Sequence, residues 1–203
     1  MKRTIDTRRL TQLALLTALL LVMNYTPLGY LPVGPLTMSL LTIPVAIGAM
    51  LLGPATGAWL GTVFGLTSFI NAVEGKSAMT GAAFQYSPVL CFIMCVVARA
   101  LMGLCCGLIY RAVTKALPEK EKLCAAIGGV SAPLLNTCFF MGSLVLFFYN
   151  IEFVQGLVEA KGATNPLMFV VLMVGVQGML EAIICCVVSA AVTVPVKHYL
   201  KSH

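Results

Sequence analysis

QYSPVLCFIMCVVARALMGLCCGLIY, Gln85 to Tyr110, is an apolar run interrupted by a single charge, Arg99. As a helix it would rise roughly 39 Å, more than the hydrocarbon thickness of a bilayer. The rest of the chain agrees with that reading. Of its 203 residues, 60% are hydrophobic and only 10% are charged, and the mean hydropathy is +0.98. Ordinary globular domains carry about 25% charged residues. So little polar surface cannot cover so much apolar side chain in water, so the solvent for most of this chain is lipid.

Six apolar runs define the expected architecture: an all-α membrane protein with six transmembrane helices, forming one domain over residues 1–203. The spans are read as Leu10–Tyr25, Leu36–Leu52, Thr56–Val73, Gln85–Tyr110, Leu123–Tyr149 and Pro166–Val194. The first follows a basic start but has no small-x-small cleavage signature, so it is read as a span and not as a removed leader. Gly53-Pro54-Ala55 makes a tight turn between the second and third. The fourth to sixth exceed the needed length and are expected to tilt or project.

Charge sets the orientation. With six crossings, Lys2, Arg3, Arg8, Arg9, Arg111, Lys115, Lys120, Lys122, Lys197 and Lys201 all fall on one side. The other side has Lys76 and Lys161, with Glu74, Glu152 and Glu159 nearby. The positive-inside rule then places both termini in the cytoplasm. The net charge of +6 is mostly this asymmetry, which gives no support to nucleic-acid binding.

Eight cysteines form no metal or disulfide framework. Cys91 and Cys95 share a helix face, but no histidine or carboxylate completes a ligand set, and both histidines, His198 and His203, are in the tail. The cysteines read as small apolar packing residues. No nucleophile with a base and an orienting group stands out, so the chain does not read as an enzyme.

In GPATGAWLGTVFG, Gly53, Gly57, Gly61 and Gly65 recur at four-residue steps. They lay a strip along the third span on which a neighbouring backbone can approach closely, most simply within this protein. Ala14 and Ala18 make a second small-x-x-x-small pair on the first span. Between the first two spans lies NYTPLGYLPVGPLT, Asn24 to Thr37, uncharged and punctuated by Pro27, Gly29, Pro32, Gly34 and Pro35. These residues exclude a long helix and leave two readings, a plain connector or a structured outer loop folded over a pocket.

The block Leu28–Phe69, LGYLPVGPLTMSLLTIPVAIGAMLLGPATGAWLGTVFGLTSF, resembles the substrate-binding S components of energy-coupling factor (ECF) vitamin transporters, and most nearly their pantothenate subgroup. The likeness continues through ARALMG (Ala98–Gly103), LLNTCFFMGSLVLFF (Leu134–Phe148) and EAII (Glu181–Ile184). The resemblance implies a six-helix protein of a prokaryotic plasma membrane, with cytoplasmic termini and no cofactor. Such a protein captures a vitamin from outside in a pocket capped by the loop after the first helix. It then joins a transmembrane coupling protein and two ATPases, and topples to release its cargo. An alanine-x-x-x-alanine pair on the first helix is the family's docking feature, and Ala14 and Ala18 match it. ATP hydrolysis on partners fits the absence of a glycine-lysine phosphate loop here. The chain departs from relatives near the pantothenate subgroup at Thr42, where histidine is frequent, at Ala98, where proline is frequent, and near Gln177, where asparagine is frequent.

The substrate-binding set expected from polarity and depth is Asn24, Tyr25, Asn71, Gln85, Tyr86, Arg99, Asn136, Gln177 and Glu181. These residues supply hydrogen-bond groups and aromatic surface in mostly apolar surroundings, which suits a small polar vitamin. A mid-membrane charge costs roughly 2.5–3.5 kcal/mol on insertion scales and needs a partner. For Arg99 the favoured expectation is an ion pair with Glu181, and the competing one is an anionic group on the substrate. Pantothenate is the first candidate cargo, ahead of riboflavin, a pyridoxine-like compound or a cobalamin-type ligand. A membrane enzyme or a membrane scaffold protein is the remaining alternative.

Overall fold

The computed structural model describes residues 7–27, 29–33 and 36–202, with side chains of 31–38 and 200–202 left aside. Lys2, Arg3 and His203 therefore lie outside the described residues, as does the Lys201 side chain. In chain order the elements are α1 (Thr7–Tyr25), a hairpin of β1 (Tyr30–Val33) and β2 (Leu36–Ser39), α2 (Thr42–Leu52), α3 (Pro54–Val73) and α4 (Ala78–Tyr86). There follow α5 (Pro88–Phe92), a π-helical turn (Ile93–Val97) and α6 (Ala98–Ala116), then α7 (Glu121–Phe148), α8 (Glu152–Ala160) and α9 (Pro166–Ser202).

Among the described residues, three stretches are long and apolar enough to cross a membrane: Pro88–Ala116, Glu121–Phe148 and Pro166–Tyr199. Their outward faces carry large apolar side chains such as Leu146, Leu167 and Val176, each at least three-quarters exposed. A water-soluble surface does not concentrate such residues in contiguous bands, so these faces meet lipid. The protein is a helical membrane protein.

The second expected span is corrected. Leu36–Ser39 is a strand paired antiparallel with Tyr30–Val33, and only Thr42–Leu52 is helical. Eleven residues of α2 rise about 16 Å, half a bilayer. The helix is apolar on every face and, from Thr42 to Met50, entirely buried, as expected of a helix enclosed by others. It packs against α1, α3, α6, α7 and α9. The fourth expected span starts at Pro88 and not at Gln85. Ser87 caps it, its hydroxyl accepting from the Leu90 N–H at 3.5 Å, and Pro88 takes the first helical position, where a missing N–H costs nothing. Within the loop expected between the last two spans, Glu152–Ala160 folds as α8.

The glycine strip packs inside the chain, as expected. A Cβ on Gly57 would strike the Gly103 carbonyl, one on Gly61 the Arg99 carbonyl, and one on Gly65 the Cys95 carbonyl and Val96 Cα. The backbones of α3 and of the π turn with α6 therefore touch along their length. Gly53 breaks the path between α2 and α3 at φ 102°, a conformation that favours glycine. Cys91, Cys95, Cys106, Cys124 and Cys185 are buried, as packing residues should be, whereas Cys138 is exposed.

The chain runs up and down between two ends. One end gathers the start of α1, the α2–α3 turn, the α6–α7 turn and the last turns of α9. There Arg9 Nη2 donates to the Leu52 carbonyl at 3.2 Å, and Lys197 pairs with Glu121 at 3.6 Å. The other end gathers the hairpin, the close of α1 and α3, and α4.

Candidate functional site

A cavity of about 520 Å³ opens at the hairpin end and reaches down to the start of α6 and the middle of α7 and α9. Helices α1, α3, α6, α7 and α9 lend it side chains, those of α3, α7 and α9 at helical spacing. Asn24 and Tyr25 come from the end of α1, Ser68 and Asn71 from α3, and Arg99 from α6. Asn136, Thr137, Phe140 and Met141 come from α7, and Val174, Gln177 and Glu181 from α9. Tyr30 and Ser39, paired across the base of the hairpin, line it beside Thr26 and Pro27, as do Lys76, Ser77, Met79 and Thr80 from the segment that joins α3 to α4 and from α4 itself. The volume is that of a small-molecule site.

Arg99 is 7% exposed. Its guanidinium carbon lies 4.5 Å from the Phe64 ring centroid and 4.6 Å from that of Phe140, so α3 and α7 supply aromatic faces to a cation borne by α6. Nη1 donates to the Cys95 carbonyl at 3.1 Å, within the π turn, where a residue is added to the helical register. The expected ion pair with Glu181 is corrected: no carboxylate lies within ion-pairing distance of Arg99 among the described residues. The aromatic faces and one carbonyl stabilise the cation, and Glu181 takes a different partner. Thr42, wholly buried at the start of α2, donates its hydroxyl to Glu181 Oε1 at 3.1 Å. Arg99 and Glu181 therefore share the cavity as separately held groups.

Around them the polar side chains are only partly satisfied. Asn24 Oδ1 accepts from the Tyr30 hydroxyl and from Asn71 Nδ2, both at 3.3 Å. Asn24 Nδ2, Ser39 Oγ, Thr80 Oγ1, Arg99 Nε and Asn136 Oδ1 are buried with no partner among the described residues, and every one belongs to a residue lining this cavity. Buried polar groups are usually paired. Concentrated around one cavity, these fit a ligand rich in oxygen and amide groups.

The same folding pattern is recognised at the level of sequence. A family model described as "ECF transporter, substrate-specific component" matches residues 8–193. This chain belongs to that family. It is the substrate-binding part of an ECF importer and not an enzyme, and its family works with the partner subunits of an ECF module. Among curated proteins it is similar to the pantothenic acid transporter PanT of Lactococcus lactis subsp. cremoris (strain MG1363). The two are 27% identical over 155 residues, which cover 68% of this chain and 74% of the relative.

In this S component the cavity brings together seven of the nine residues expected to bind substrate: Asn24, Tyr25, Asn71, Arg99, Asn136, Gln177 and Glu181. Gln85 and Tyr86 lie outside it. Both are exposed at the end of α4, where Tyr86 meets Phe148 edge-on at 6.0 Å. Phe140 was within reach of helical spacing from Asn136, and Val174 from Gln177, whereas Thr137 and Met141, one and five residues from Asn136, were not. Thr80 and Met79 carried no such signal, because α4 packs over the cavity through a turn that no periodicity announces. Ala14 and Ala18 are exposed on α1, away from the cavity.

Proposed function

We propose that this S component captures pantothenate, with Arg99 receiving the carboxylate. The supporting observation is a buried guanidinium in the cavity wall, stacked on Phe64 and Phe140 without a carboxylate partner among the described residues. The likeness to a pantothenic acid transporter favours the same cargo. Asn24, Asn71 and Asn136 supply hydrogen bonds for the ligand's amide and hydroxyls, and Glu181, held by Thr42, accepts from a hydroxyl. Met79, Phe140, Met141 and Val174 receive its methyl groups.

The same proposal takes the chain across a prokaryotic plasma membrane six times with both termini in the cytoplasm. The gathering of Arg9, Arg111, Lys115 and Lys197 at one end of the bundle supports this orientation. Docking to a transmembrane coupling protein runs through Ala14 and Ala18, supported by their exposure on α1, and two partner ATPases supply the energy.

Calorimetric titration of the purified protein in detergent tests the cargo, with pantothenate beside riboflavin, pyridoxine and cobalamin. One-to-one binding of pantothenate alone is expected. Pantothenol, in which an alcohol replaces the carboxylate, should bind at least tenfold more weakly, since a charge-assisted hydrogen bond is worth about 1.5–3 kcal/mol. In Arg99→Gln the two ligands should bind alike. Tight binding of another vitamin would overturn the cargo, and equal wild-type affinity for pantothenate and pantothenol would overturn the role of Arg99.

A further inference from the structure

The end of the bundle opposite the vitamin cavity holds a second, larger recess of about 1080 Å³ between α1, the α2–α3 turn, α6 and α9. Its floor is apolar, from Leu10 and Leu13 through Leu52 to Pro54. Its rim carries four cations, Arg9, Arg111, Lys115 and Lys197, and no carboxylate among the described residues lines it. Two of these cations have partners. Arg9 donates to the Leu52 carbonyl, and Lys197 reaches Glu121 at 3.6 Å and the Tyr110 hydroxyl at 3.4 Å.

Arg111 and Lys115 are different. They stand four residues apart on α6, on one face, both exposed. No side-chain hydrogen bond or ion pair joins either of them to another described residue. Like charges at this spacing repel, and an anion lying between them relieves that repulsion. Thr114 adds a hydroxyl on the recess wall, buried and without a partner among the described residues.

The surroundings identify the source of the anion. Leu10, at the edge of that apolar floor, is 54% exposed, and so is Trp59, the chain's single tryptophan, one turn along α3 from Thr56, which also lines the recess. Tryptophan concentrates at the boundary between lipid and water. A recess that has an apolar floor, a cationic rim and an opening at that boundary matches a phospholipid, acyl chains below and phosphate above. We infer that this recess binds the headgroup of an anionic membrane phospholipid, with Arg111 and Lys115 as its principal ligands.

Native mass spectrometry of the full-length protein tests this, using dioleoyl phosphatidylglycerol, dioleoyl phosphatidylcholine and inorganic phosphate as probes. The wild type should retain one phosphatidylglycerol, at least tenfold in preference to phosphatidylcholine. Arg111→Gln/Lys115→Gln should lower that retention about tenfold while pantothenate titrations stay unchanged. Lys115→Gln alone, at an exposed helix end, should lower it about threefold and serves should the double variant fail to fold. Lys161→Gln, a control at the other end of the bundle, should change nothing. Retention unchanged in the Lys115 and double variants would overturn the inference, as would equal loss in the Lys161 control. Displacement of phosphatidylglycerol by millimolar inorganic phosphate would assign the recess to a soluble anion and overturn the lipid assignment.

Discussion

Arg99 holds its charge in apolar surroundings by stacking on Phe64 and Phe140 and by donating to the Cys95 carbonyl, and its chemistry depends on that planar geometry. Lysine keeps the charge but loses the fork and the stacking face. Arg99→Lys should therefore weaken pantothenate binding at least tenfold in calorimetry, in a protein whose unfolding midpoint stays near that of the wild type. A midpoint collapse in this conservative variant would mean that the stacked cation serves mainly to hold α3, α6 and α7 together. Thr42→Val isolates the other charged group. It removes the hydroxyl that donates to Glu181, at nearly constant volume, and leaving a buried acceptor unsatisfied costs about 1–3 kcal/mol. Thermal unfolding in detergent should register that loss, and ligand affinity should fall with it if Glu181 faces the bound vitamin.

The seam between α3 and the π turn with α6 sets the depth of the cavity, because Gly61 admits the Arg99 carbonyl itself. Gly61→Val would force that backbone away, at about 1–3 kcal/mol for an overpacked contact, and would carry the guanidinium with it. Loss of both stability and pantothenate affinity is expected, whereas Gly142→Val, where a side chain meets open space, should alter neither. Much of this element-scale picture was legible in the sequence, because four-residue glycine spacing and long apolar runs are local signals. The hairpin was half legible: proline and glycine excluded a long helix from Asn24 to Thr37, but the pairing of Tyr30 with Ser39 has no residue-type signature, and Leu36–Ser39 read as the start of a span because a lipid-facing helix and a strand share an apolar composition. The Arg99–Glu181 pair failed for a related reason. Depth along a helix can be counted from sequence, but the azimuth that brings Phe64, Phe140 and Thr42 to the two charges comes from packing.

For the whole molecule, the two ends differ in kind: one carries a cavity ringed by amides and hydroxyls, the other a cationic recess. Reporter fusions or thiol-accessibility labelling at both termini should place them together in the cytoplasm, and labels near Lys76 and Lys161 outside. Ala14→Trp/Ala18→Trp, on an exposed face of α1, should leave pantothenate binding within twofold while abolishing uptake in cells that contain the coupling module. Loss of binding in that variant would instead tie α1 packing to the cavity. The position of Trp59 has an optical consequence. It lies about 13 Å along α3 from Ser68, on the cationic side of the molecule, and no other indole is present. Intrinsic emission excited at the red edge of the indole band will be nearly silent as vitamin is added, yet brominated acyl chains will quench it, so the protein carries a built-in dye for its lipid contacts and none for its cargo.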